Sequence, residues 1–235
     1  SGYEGTSSCS ASAATNLASA TASFAKDEWV TLEVGWDNAT ISVLAINADG
    51  DRFEVSSANS ATYGAGRLQV GTGYMYGSTY FADLKIHSAL PVPSALPTVS
   101  PAPTPAPTPP PTHDYTDVVV TASMWYDYCG GQTWSYGTTF DNKTVFVTDS
   151  TNVANFIAAK DIWFDSSVAG RVSYSAYADD DNDDLYIGLF DLATQGIFVV
   201  WNMQNSRLYI REATSGYEGT SSCSASAATN LASAT

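Results

Sequence analysis

The chain has 235 residues, 9 Lys and Arg against 24 Asp and Glu, a formal net charge of −15 and 44% hydrophobic residues. That acidity argues against nucleic acid, whose phosphates call for a basic surface, and against an anionic membrane. The apolar content is enough for a packed core, and with no run of 18 apolar residues no transmembrane segment is predicted. Because the chain opens at Ser1, the lack of a secretory signal carries no weight.

In chain order, the first feature is a repeat. Ser1–Thr21 reads SGYEGTSSCSASAATNLASAT and returns letter for letter as Ser215–Thr235, at an offset of 214. A match of that length is not chance. The reading adopted is a window onto tandem 214-residue units, one full period plus the first 21 residues of the next. Its rival is a protomer with duplicated terminal segments.

Strand signals follow. Trp29–Trp36 (WVTLEVGW) and Thr40–Ile46 (TISVLAI) alternate, with Asp37-Asn38 as the turn between them. Ala48-Asp49-Gly50-Asp51 supplies the next turn, since Asp-Gly readily adopts positive φ. Arg67–Thr72, Tyr80–His87, Asp117–Tyr126, Lys143–Thr148, Gly170–Tyr177, Leu185–Phe190, Gly196–Trp201 and Arg207–Ala213 continue the series, with Asn202–Ser206 as a hairpin loop. The one helix candidate is Thr151–Lys160 (TNVANFIAAK). Many short strands and no crossover helices predict an all-β fold, an antiparallel β-sandwich.

Between the two sets of strands lies Leu90–His113, LPVPSALPTVSPAPTPAPTPPPTH, which holds all ten prolines and no charged Asp, Glu, Lys or Arg. Prolines this dense fix φ and remove donors, so an extended polyproline II spacer is expected. From Pro91 to Pro111, at about 3.1 Å per residue, it would reach roughly 65 Å. On the repeat reading, residues 1–89 are the C-terminal part of one module, 90–113 the linker, and 114–235 the N-terminal part of the next.

Trp29–Asn38 (WVTLEVGWDN), the hairpin to Ile46, Gly66–Gly73 (GRLQVGTG) and Tyr80–His87 (YFADLKIH) resemble the closing strands of laminin-G-like and concanavalin A-like jelly rolls. The resemblance covers about 60 residues and implies a sugar- or protein-facing surface. The linker's Ser-Pro, Ala-Pro and Thr-Pro repeats resemble the hydroxyproline-rich spacers of plant and green-algal surface glycoproteins. That resemblance implies hydroxyproline or O-glycans at Thr98, Ser100, Pro101, Pro103, Thr104, Pro105, Pro107, Thr108, Pro109, Pro110 and Pro111. The alternative is a bare spacer.

Asn38-Ala39-Thr40 and Asn142-Lys143-Thr144 meet the N-glycosylation pattern. Of the three cysteines, Cys9 and Cys223 are counterparts one period apart, leaving two per unit. An even pair suggests a Cys129–Cys223 disulfide, with Cys9 pairing outside the window; free thiols and an intermodule bridge are the alternatives. Asp179, Asp180, Asp181, Asn182, Asp183 and Asp184 form an acidic string that reads either as a solvated loop or as a calcium site built on Asp179, Asp181, Asp183 and Asp184. No other cofactor is called for. Tyr74, Tyr76, Tyr128 and Trp134 stand in aromatic clusters that read as core packing, a docking surface or a glycan-stacking surface.

With two histidines and none near Cys129 in sequence, no nucleophile–histidine arrangement is evident; paired carboxylates for sugar hydrolysis stay open in a jelly roll, for example Glu33 with Glu54, although Glu33 belongs to the polar face of its strand. The expectation is a non-enzymatic, secreted glycoprotein whose copies stack in a helical fibre, similar to algal flagellar hairs or wall proteins. An adhesin or carbohydrate-binding module displayed on rigid spacers is the alternative.

Overall fold

The computed structural model describes residues 14–58, 65–73, 77–88, 116–129, 134–149, 155–180, 184–191 and 196–213. Among them are fifteen strands in two antiparallel sheets, so the protein is all-β with a β-sandwich-like fold. Before the proline-rich stretch come β1 (Ala14–Thr21), β2 (Trp29–Trp36), β3 (Thr40–Ile46), β4 (Arg52–Ala58), β5 (Ala65–Gly73) and β6 (Ser78–Ser88). After it come β7 (Thr116–Asp117), β8 (Trp125–Cys129), β9 (Trp134–Phe140), β10 (Lys143–Asp149), β11 (Asn155–Asp165), β12 (Gly170–Ala178), β13 (Asp184–Asp191), β14 (Gly196–Asn202) and β15 (Arg207–Ala213).

One sheet runs β1-β15-β14-β13-β5-β11-β8; the other runs β4-β3-β2-β12-β6-β10-β9, with β7 added alongside β6. Strands from the two sides of the linker interleave. β12 lies between β2 and β6, and β5 between β13 and β11. Residues 14–88 and 116–213 of one chain therefore complete both sheets together.

The turns are set by side chains. After β2, Asp37 Oδ1 accepts the backbone N–H groups of Ala39 and Thr40, both at 2.7 Å. After β3, Asn47 Oδ1 accepts the Asp51 N–H at 2.8 Å while Gly50 takes φ +85°. Between β9 and β10, Asp141 (φ 47°) and Asn142 (φ 60°) both occupy the left-handed region that a two-residue hairpin requires. Asp and Asn are the non-glycine residues that bear this most easily.

Inward-facing residues of the two sheets share one core. Leu32, Val34, Ile41, Val43, Phe81 and Tyr174 come from one sheet; Leu68, Val70, Ile187, Val199, Trp201 and Leu208 come from the other. The Tyr174 hydroxyl crosses it to donate to the Tyr186 carbonyl at 3.2 Å. At one end the Trp36 indole donates to the Val168 carbonyl (2.8 Å) and packs on Phe164. At the other the Trp201 indole donates to the Ala22 carbonyl (3.2 Å), with the Phe24 ring centroid 4.6 Å away.

Several expectations are corrected. The stretch expected as a helix, Thr151–Lys160, enters β11 at Asn155; Phe156, Ile157, Ala158 and Ala159 are all buried, so the strand carries no alternation to betray it. Asp117–Tyr126 is not one strand, because a 3₁₀ turn, Ala122–Met124, separates β7 from β8. No disulfide is formed among the described residues, which include Cys129 but not Cys9 or Cys223, and the disulfide is withdrawn. Among them there is also no helix beyond that one 3₁₀ turn, and the helical assembly is withdrawn too.

Candidate functional site

The outward face of the eight-stranded sheet carries an aromatic platform. Cross-strand register sets Tyr177 of β12 opposite both Trp29 of β2 and Tyr80 of β6. Their neighbours Val30, Ala176 and Phe81 point into the core, so strict alternation turns the three rings outward. Phe140, at the end of β9, joins them: it stacks on Tyr80 with centroids 3.9 Å apart and meets Tyr177 edge-on at 4.9 Å. Trp29 lies 5.7 Å from Tyr177 and 6.2 Å from Phe140. All four are half-buried, which leaves ring surface open to solvent.

Charged groups frame the platform. The Trp29 indole N–H donates to Asp141 Oδ2 at 2.8 Å, and Lys143 Nζ lies 5.1 Å from the Trp29 ring, within cation–π range. Lys143 also donates to Asp83, whose carboxylate accepts the Ser175 hydroxyl at 3.1 Å. Burial pushes the Asp83 carboxyl up, but the hydrogen bond and charge of Lys143, with help from Ser175 and Lys85, outweigh it and hold the group below its ordinary value. The Tyr177 hydroxyl donates to Asp27 Oδ1 at 3.3 Å; burial, then the Asp27 charge, raises its pKa. Asp83 stands at φ 52°, where β10 has left β6 and β7 has yet to join it. An open groove occupies that split, with Asp83, Lys85, Asp117, Asn142 and Lys143 along its walls.

This geometry can hold flat or weakly polar surfaces by stacking and place donors and acceptors around them. The sequence carried a signal for it. Trp29, Tyr80 and Tyr177 occupy outward positions of alternating strands, where polar residues are the ordinary choice. They are about 50 and 100 residues apart, so only register brings them together.

The residues singled out from sequence are dispersed. Trp134 is in the core at 7% exposure, packed against Phe81 and Phe146, so docking or glycan stacking through it is corrected to a packing role. Tyr128 belongs to β8; Tyr74 and Tyr76 lie outside the described residues. Asn38 and Asn142 are both exposed, the first on the β2–β3 turn and the second on the β9–β10 turn beside the platform.

Asp184 is buried at 3%, receiving the Tyr186 hydroxyl at 3.1 Å and the Asn202 amide. A carboxylate holding those donors anchors the start of β13. Asp179 accepts the Ser78 N–H at 2.6 Å. Asp181 and Asp183 lie outside the described residues, as do all of the linker positions from Thr98 to Pro111. Among the described residues no three His, Cys, Asp or Glu side chains converge as a metal site. Glu33 is tied to Arg171 at 2.8 Å, while Glu54 lies beyond Leu44, two strands away.

No family model matches this chain, and no curated protein sequence matches it.

Proposed function

We propose that the protein is a structural subunit of an extracellular glycoprotein filament, built from tandem 214-residue units in which an acidic β-sandwich alternates with a stiff proline-rich spacer. The observation that carries this reading is the 21-residue identity between Ser1–Thr21 and Ser215–Thr235. It makes 214 residues the natural period, with one spacer of 24 residues in each. Copies that follow one another at a fixed interval present the same surfaces again and again, and contacts that do not close on themselves yield a fibre rather than a ring. In this reading the jelly-roll likeness describes the module, the spacer carries hydroxyproline and O-glycans, and the work of the protein is mechanical rather than enzymatic. N-glycans at the exposed Asn38 and Asn142 suit the same secreted setting.

Electron microscopy of native material tests it. Fibres with a regular axial repeat are expected, and separate irregular beads would overturn the reading.

A second reading rests on the aromatic platform. Four half-buried rings with a charged frame are the kind of surface on which sugar rings stack. In that case the module is an adhesin or carbohydrate-binding unit, and the spacer serves display. Glycan-array binding that is lost in Trp29→Ala would favour it over the filament.

A further inference from the structure

β1 is the outermost strand of the seven-stranded sheet. Its register with β15 runs from Ala14 opposite Ala213 to Thr21 opposite Arg207, with one irregularity between Asn16 and Ala18. Leu17 and Ala18 pack against the core, and the rest of the strand is Ala, Thr, Asn and Ser. The same eight residues, ATNLASAT, occur again as Ala228–Thr235. Any backbone pairing or apolar contact that the first copy makes beside β15 is available to the second, because an edge selects a strand by main-chain hydrogen bonds and alternate side chains.

Connectivity allows the second copy to arrive. A strand that follows β15 and turns back antiparallel must start opposite Ala213, which is where Ala14 stands. Fourteen residues, Thr214–Ala227, join Ala213 to Ala228, far more than the two that a tight hairpin needs. At the other end of the position, Thr21 leads to β2 through Ala22–Glu28. That connection is fixed to the same sheet. The Ala22 N–H donates to the Ser206 carbonyl at 2.9 Å, and Phe24 packs on Trp201. A strand entering from β15 and leaving toward β2 therefore fits without moving either sheet.

We propose that this edge is a splice position: Ala228–Thr235 is interchangeable with Ala14–Thr21 as the strand beside β15, and through it one copy of the fold runs into the next. β15 of one unit is then followed directly by β1 and β2 of the following unit, and the module closes across the repeat boundary. The interchange of strands stands without the filament reading, while the run-on into a following copy rests on it.

The test uses the full chain in four forms: parent; Leu17→Asp with Ala18→Pro; Leu231→Asp with Ala232→Pro; and all four substitutions together. Aspartate opposes the half-buried apolar contact, and proline fixes φ at about −65°, away from the extended antiparallel strand. Each single-copy variant is expected to melt within about 2 °C of the parent, and the combined variant about 10 °C or more below it. A synthetic peptide, Ala225–Thr235, added to the combined variant is expected to restore the lost melting temperature, whereas a scrambled peptide does not. If either single-copy variant falls as far as the combined one, the position belongs to one copy alone and the proposal is overturned. It is equally overturned if the combined variant melts with the parent. Because none of these readouts involves fibres, their failure is distinct from failure of the filament reading.

Discussion

The two sheets of this protein solve the same problem in opposite ways. In the eight-stranded sheet, β2 and β3 bury alternate residues: Val30, Leu32 and Val34 face inward, while Trp29, Thr31 and Glu33 stay half-exposed. In the seven-stranded sheet, all seven residues of β14, GIFVVWN, are buried. Ile197, Val199 and Trp201 point into the shared core, and Phe198 and Val200 are shielded on the opposite face. The same face carries Phe156 against Tyr186, and the buried polar residues Gln69 and Arg211. A one-sided sheet advertises itself by period two, whereas a two-sided one reads as a continuous apolar run. The difference teaches where function can sit, because a face open to water is free to carry an aromatic platform.

The sharpest way to break this contrast is to place a charge on each outer face. Val200→Asp should cost several kcal/mol, about 3 or more, because it buries an unpaired carboxylate. Thr31→Asp, on the half-exposed face of β2, should change stability by no more than about 0.5 kcal/mol. Urea unfolding of the two variants measures both. Equal, small effects would mean that the second face of the seven-stranded sheet is open to water after all.

Next in size is Trp201→Ala, which removes the ring that Phe24 and Phe53 pack against; a loss of about 3–5 kcal/mol is expected. Gly188→Ala should cost about 1–3 kcal/mol, since the new Cβ would stand 2.8 Å from Phe198 and 2.9 Å from the Cβ of Gln69. That variant sharpens the comparison, because Gly35→Ala in the other sheet meets Ser42 Oγ at 3.1 Å and should be tolerated better.

The smallest effect concerns the rim of the platform. Asp83 and Lys143 are both partly exposed, so their ion pair contributes about 1 kcal/mol or less. A carboxyl held below its ordinary value in the folded state stabilises the fold above the unfolded pKa, and that contribution is lost as pH falls through the lower folded value. The melting temperatures of the parent and Asp83→Asn should therefore differ at neutral pH and converge in acid below about pH 4. A difference that persists unchanged well below that pH would show that the Asp83 charge is not what matters.

These contrasts also explain what was legible from the residues alone. Trp29–Trp36, Thr40–Ile46 and Arg207–Ala213 were bounded correctly as strands because alternation and flanking turn residues agreed. β1 escaped notice because Ala, Ser and Thr give little hydrophobic contrast, and β11 read as helical because its buried run NFIAA has no period of two. The platform residues were visible singly but not as a set, since lateral neighbours in a sheet are fixed by register and not by sequence spacing.

The junction of β6 with β7 bears on how the protein answers to load. β6 is an eleven-residue strand held between β12 and β10, whereas β7 contributes two residues, with Thr116 opposite Ile86 and Asp117 opposite Lys85. Traction arriving along residues 89–115 would reach the fold at Ser88 on one side and Thr116 on the other. On the Thr116 side, two residue pairs would peel apart in turn; on the Ser88 side, a long ladder would have to slide as a whole. In the filament reading proposed above, β7 would be the soft end of the module, giving up its two residue pairs before the longer ladders of β6 are loaded.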